Sequence, residues 1–120
     1  MTVRRLKTYT AETGFVYQYY FVGKRPALAD DPAAPATEFI FDVTSDRKQT
    51  FAISIFLRDE AVKAWQMQHG RNLVEAEQYA AGKVRLFRAF NEIEDLLGQG
   101  RRLLIKHQEL EELLAELGVD

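Results

Sequence analysis

Apolar positions in the first half of the chain recur with a period of two. Gly14 to Val22 reads GFVYQYYFV. An extended strand there puts Phe15, Tyr17, Tyr19 and Phe21 on one face and Val16, Gln18, Tyr20 and Val22 on the other. Glu38 to Val43 alternates more cleanly, with Phe39, Phe41 and Val43 against Glu38, Ile40 and Asp42. Phe51 to Leu57 does the same, with Phe51, Ile53, Ile55 and Leu57 against Ala52, Ser54 and Phe56. Thr44 to Gln49 is polar turn chemistry, so the last two strands are expected to form an antiparallel hairpin. All 3 prolines fall between Pro26 and Ala36. Proline fixes φ and donates nothing to a ladder, so this stretch reads as a loop or extended arm joining two strands of one sheet.

The second half switches to helical spacing. Arg58 to His69 places Ala61, Ala64, Trp65 and Gln68 on one side, with Gly70 as a stop. Asn72 is the candidate N-cap of a long helix reaching Leu97, ended by Gly98-Gln99-Gly100. Arg101 to Lys106 is a short connector, and Leu103 to Ile105 within it is a candidate strand. Gln108 to Leu117 forms a last helix on a stripe of Leu110, Leu113, Leu114 and Leu117, capped by Gly118. Strands first and helices after argue for a single α+β domain over residues 1–120. Its expected form is a short antiparallel sheet of three strands, four if Leu103 to Ile105 joins, packed against one long and two shorter C-terminal helices.

Composition narrows the chemistry. With 47% apolar and 28% charged residues in a 120-residue chain, an ordinary globular core is attainable. A balance of 16 basic against 18 acidic residues excludes a nucleic-acid binder acting by bulk positive charge. The absence of cysteine excludes disulfides, thiolate metal sites and thiol catalysis. No run approaches the ~18 to 20 apolar residues of a membrane span. Met1 to Arg5 leads into no apolar run of signal type. A cytoplasmic, bacterial-type protein is the expectation.

One residue breaks the pattern. On the long helix Ala76, Tyr79, Ala80, Leu86, Phe87 and Phe90 form an apolar stripe, and Lys83 falls near its centre, with Glu94 three turns on along the same meridian. Either Lys83 extends its ammonium to the helix edge or onto a carboxylate from another element, or it is desolvated, lowered in pKa and facing a pocket. Tyr79, one turn earlier, shares its face, and a lysine beside a tyrosine steadies a phenolate for proton transfer. Tyr79-Ala80-Ala81-Gly82-Lys83 is similar to the YxxxK motif of the short-chain dehydrogenases. The resemblance covers five residues. Gly14 and Gly23 flank a strand without that family's glycine-rich turn, and there is no room for a doubly wound sheet before Tyr79. No cofactor is carried over from it.

The remaining constellations are weaker. His69 and His107 have no second ligand at metal-binding spacing, so no metal is expected, and no residue is singled out as catalytic. Ser45 lies in a turn and Ser54 in mid-strand, without a nucleophile elbow. Asp30-Asp31, Asp59-Glu60, Glu94-Asp95 and Glu111-Glu112 read as solvated faces. The aromatic residues exceed what three helices cover, which points to a non-catalytic interaction module that self-associates, as a homodimer, through Tyr17, Tyr19, Tyr20 and Phe56, or that docks on another protein. A small-molecule-binding protein or weak enzyme with a pocket at Tyr79 and Lys83 is the alternative. A single-stranded nucleic-acid surface, with basic residues rimming the tyrosines, is third.

Overall fold

The computed structural model describes residues 5–29 and 33–120. Five strands form one sheet in sequence order: β1 Lys7–Thr10, β2 Val16–Ala29, β3 Ala34–Thr44, β4 Phe51–Arg58 and β5 Arg102–Ile105. Four helices complete the fold: α1 Asp59–His69, α2 Glu75–Glu92, α3 Leu96–Gln99 and α4 His107–Glu116. The α+β class expected from the sequence is the one observed. The sheet, however, has five strands rather than three or four, and it is mixed: β1 to β4 pair antiparallel, whereas β5 runs parallel to β4. A parallel partner needs a crossover, and α1, α2 and α3 supply it.

The central strands show why one face is covered. Phe39, Phe41 and Val43 of β3 pair across to Ile55, Ile53 and Phe51 of β4, and all but Phe51 are buried. Trp65 of α1, Leu86 and Phe90 of α2, and Leu110, Leu113 and Leu114 of α4 join them in one core. Leu110, Leu113 and Leu114 of the expected stripe therefore pack inside their own chain, whereas Leu117 is exposed. The charges on α4 are partnered too, not merely solvated: Glu109 reaches Arg85 at 3.5 Å, His69 lies 2.8 Å from Glu111, and Arg88 reaches Glu116 at 2.6 Å and Glu112 at 3.4 Å.

Three boundaries differ from expectation. The arm from Pro26 to Ala36 is strand on both sides, Pro26 pairing with Thr37 and Ala29 with Ala34; Asp30, Asp31 and Pro32 lie outside the described residues. The prolines are tolerated because β1 pairs with β2 only from Val16 to Tyr19, and β4 pairs with β3 only from Ala36. Pro26 and Pro35 thus stand where one side of the strand carries no ladder. The long helix starts at Glu75, not Asn72, with the Glu77 carboxylate accepting the Val74 N–H at 3.1 Å. It ends at Glu92, before Leu97: Ile93 is extended, and the Asp95 carboxylate caps α3 through the Gly98 N–H at 3.0 Å. That local bond competes with continued helix. A Cβ at Gly98 would run into the same carboxylate.

The buried side of α2 is also rotated from the expected stripe. Ala81, Gly82, Leu86, Ala89 and Phe90 are buried, whereas Ala76 is exposed. Lys83 consequently sits on the flank of the helix rather than at the centre of its apolar side. Gly82 faces the sheet, and a Cβ added there would lie 3.6 Å from the Phe39 ring, an ordinary contact. Glycine in a helix interior costs up to about 1 kcal/mol relative to alanine. Gly82→Ala is therefore expected to raise the unfolding free energy by up to about 1 kcal/mol, read as a higher urea midpoint with an unchanged slope. A lower midpoint would mean that Phe39 cannot give.

Candidate functional site

β1 delivers the group that the sequence reading missed. It is four residues long and pairs Lys7 with Tyr19 and Tyr9 with Tyr17. Lys7 and Tyr9 therefore point to the helix side of the sheet. The Tyr9 ring stacks on Phe87 of α2 at 4.5 Å and 7°, and its hydroxyl accepts from the Asn91 amide at 3.0 Å. Gly14, at φ 95°, makes the turn from β1 into β2. These contacts lock β1 under α2 and bring Lys7 alongside Lys83.

Beside this meeting point lies a cleft of about 220 Å³ lined by Arg5, Lys7, Tyr19, Tyr20, Phe21 and Tyr79. It opens where β1 begins and the edge of β2 loses its neighbour. Tyr79 packs edge-on to Phe21, with centroids 4.8 Å apart. Lys83 stands next to two of the lining residues, Lys7 and Tyr79. Its ammonium is 5.9 Å from the ring centres of both Tyr79 and Phe87. The arrangement is two ammonium groups against aromatic walls, with an arginine beside them.

Electrostatics favour loss of a proton from Lys83. Burial lowers its pKa first, and the hydrogen bond and like charge of Lys7 lower it further. The two rings act the other way, but at 5.9 Å they sit at the outer limit of a cation–π contact. Among the described residues no carboxylate lies within ion-pair distance of Lys7 or Lys83. The contrast with the same helix is plain: Lys24 meets Glu75 at 3.2 Å and Arg88 meets Glu116. Glu94, on the same meridian in the sequence, lies past the end of α2 and lines a separate cleft of about 180 Å³ with Tyr17.

Tyr79 and Lys83 are thus brought together, though not as a proton-transfer pair. Among the described residues no hydrogen bond joins them. Burial raises the Tyr79 pKa, and burial with the neighbouring Tyr79 and Tyr9 raises that of Tyr19. Both remain neutral phenols near neutrality. The phenolate expected from the YxxxK spacing is disfavoured, and the amine is the group whose ionisation is eased.

The four candidate interface aromatics are divided between the two sheet faces. Tyr17 and Tyr19 are buried beneath α2, Tyr17 stacked on Phe90 at 4.4 Å. Tyr20 and Phe56 lie on the opposite face. The Tyr20 hydroxyl donates to Asp42 at 2.7 Å. Phe56 is only 5% exposed, with the Arg102 guanidinium 4.5 Å over its ring. On the same face Glu38 accepts from Arg25 at 2.8 Å and from the Ser54 hydroxyl at 2.6 Å, and these bonds lower its pKa against the effect of burial.

The other singled-out residues serve the fold. The His69 ring stacks on Trp65 at 4.2 Å while its Nε2 faces Glu111. Among the described residues no group of three His, Asp or Glu side chains is placed to hold a metal ion. Among them, too, no helix is long and apolar enough to cross a membrane.

Comparison with known proteins leaves this geometry to speak for itself. No protein-family model, curated protein or solved structure matches the chain.

The lowered pKa of Lys83 has a sign that can be measured. A lysine depressed in the folded state opposes folding while it is protonated. As pH rises through the folded value, the native state releases a proton that the unfolded chain still holds, so stability increases. Wild-type protein is expected to gain stability between neutrality and about pH 10, below the ordinary lysine and tyrosine ranges. Lys83→Met should lack that gain and be at least as stable as wild type at neutral pH. Parallel slopes in urea titrations across this interval would contradict the placement of Lys83.

Proposed function

We propose that this chain is a non-catalytic binding module for a small acidic ligand, a carboxylate or phosphate attached to a flat apolar body. The observation that carries the reading is the pairing of Lys7 with Lys83, without a carboxylate, beside a cleft walled by Tyr19, Phe21 and Tyr79. Two unit charges 4 Å apart repel by about 1 kcal/mol in water and about 4 kcal/mol at the effective dielectric of a protein surface. An anion between them turns that repulsion into attraction. The aromatic walls supply the apolar contact, and the few convergent polar groups supply orientation. A cytoplasmic setting, expected for a chain whose fold uses no disulfide, is part of the same proposal.

Self-association through the aromatic residues has less support. Tyr17 and Tyr19 spend their surface on α2, and Arg102 already covers Phe56. Tyr20 is engaged with Asp42.

Chemical-shift titration with benzoate, phenyl phosphate and inorganic phosphate tests the binding reading. The aryl acids are expected to perturb Tyr19, Phe21 and Tyr79, and to bind more tightly than inorganic phosphate. Lys7→Met and Lys83→Met should each weaken binding about ten- to hundredfold, the range for loss of a charge-assisted hydrogen bond of ~1.5 to 3 kcal/mol, whereas Lys63→Met, at an exposed position of α1, should not. Equal titrations in all four proteins would overturn it.

A further inference from the structure

We propose that Lys83 is a nucleophilic amine which holds a carbonyl-bearing carboxylic acid as an imine, with Lys7 and Arg5 receiving the carboxylate. The inference rests on the acidic-ligand reading and adds the covalent step to it. Three observations converge. Lys83 is half-buried, with its amine 5.9 Å from the ring centres of both Tyr79 and Phe87. Lys7 arrives beside it from β1, and a second cation is one of the two arrangements that free a lysine for attack, apolar burial being the other. No described carboxylate restores its charge. The remaining groups around it do not oppose this: Tyr79 on its own helix and Tyr19 on β2 are both held as neutral phenols, and Arg5 adds positive charge next to Lys7.

The chemistry balances without an outside reagent. The free amine adds to the carbonyl carbon, forming a C–N bond as the C=O π bond becomes an alkoxide, which takes a proton from the Lys7 ammonium. The attached nitrogen, now positively charged, returns a proton to the Lys7 amine and leaves a neutral carbinolamine. Lys7 then protonates the carbinolamine hydroxyl, which departs as water while the nitrogen lone pair closes the C=N bond, so the products are a protonated imine and a neutral Lys7 amine. Water reverses the sequence, so the bound acid is released unchanged. Arg5 cannot take the amine role because a guanidinium does not give up its proton.

Reductive trapping tests the inference. The intact protein is incubated at neutral pH with 4-carboxybenzaldehyde and cyanoborohydride, then digested and mapped. Cyanoborohydride adds hydride to the imine carbon and leaves a stable secondary amine. The expected result is one adduct, on Lys83, competed by benzoate. Lys83→Arg should lose it while retaining benzoate binding, which separates the amine's chemistry from its charge and from folding. Lys7→Met should shift the pH profile of labelling at Lys83 to higher pH. Labelling spread evenly over exposed lysines such as Lys48 and Lys63, with benzoate binding intact, would overturn the imine and leave the acidic-ligand site standing. Even labelling together with no benzoate binding in wild-type protein would overturn both.

Discussion

The fold depends on covering one apolar sheet face. β3 and β4 are the central strands, and their alternate residues Phe39, Phe41, Val43, Ile53, Ile55 and Leu57 are all buried on one side. Burying a side chain of this size is worth roughly 1.5 to 3 kcal/mol, so six of them form a demand that no loop can meet. β4 therefore runs directly into α1, and every helix with a buried residue contributes it to that one core. The ion pairs between α2 and α4 follow from this constraint. Once both helices must lie on the same face, Arg85 and Arg88 are within reach of the acids of α4.

The candidate site is a by-product of the same packing. α2 packs on Phe39 at Gly82, and its far half is held by the stack of Phe90 on Tyr17 and of Phe87 on Tyr9. On the helix held at these points, Lys83 stands beside Tyr79, Phe87 and Lys7. The register of β1 then decides its neighbour: because Lys7 faces Tyr19, it points to the helix side. A shift of one residue would turn Thr8 inward and remove the second charge. The juxtaposition of two lysines is thus fixed by apolar contacts around them, which is how a fold sustains a locally unfavourable arrangement.

This also explains what could be read from the sequence. The three long strands, the helical order and the irregularity at Lys83 were legible because each rests on periodicity over a window of its own. β1 was not, since a four-residue strand carries too little alternation and takes its meaning from Tyr17 and Tyr19 across the ladder. The end of α2 was misplaced because apolar spacing continues to Leu97 while the Asp95 cap stops the helix locally. The arm around Pro26 and Pro35 reads from sequence as a loop or extended arm, and not as ladder, because the rule against proline assumes a ladder on both sides. Tyr79 and Lys83 could be found on one helix; Lys7, their complement, depends on the fold.

The aromatic surface meets its surroundings by two different means. One face is covered by helices. On the other, basic side chains engage individual groups, Arg102 over Phe56 and Arg25 on Glu38. Arginine suits that task because its planar, permanently charged group stacks on a ring or grips a carboxylate without titrating. The cleft joins lysine to an arginine, Arg5. Where Lys7 and Lys83 meet, a permanent charge on both would make the repulsion irreducible, whereas an ammonium can shed it as a proton or share it with an anion. That difference between the two cations is the physical ground of the binding reading proposed for the cleft.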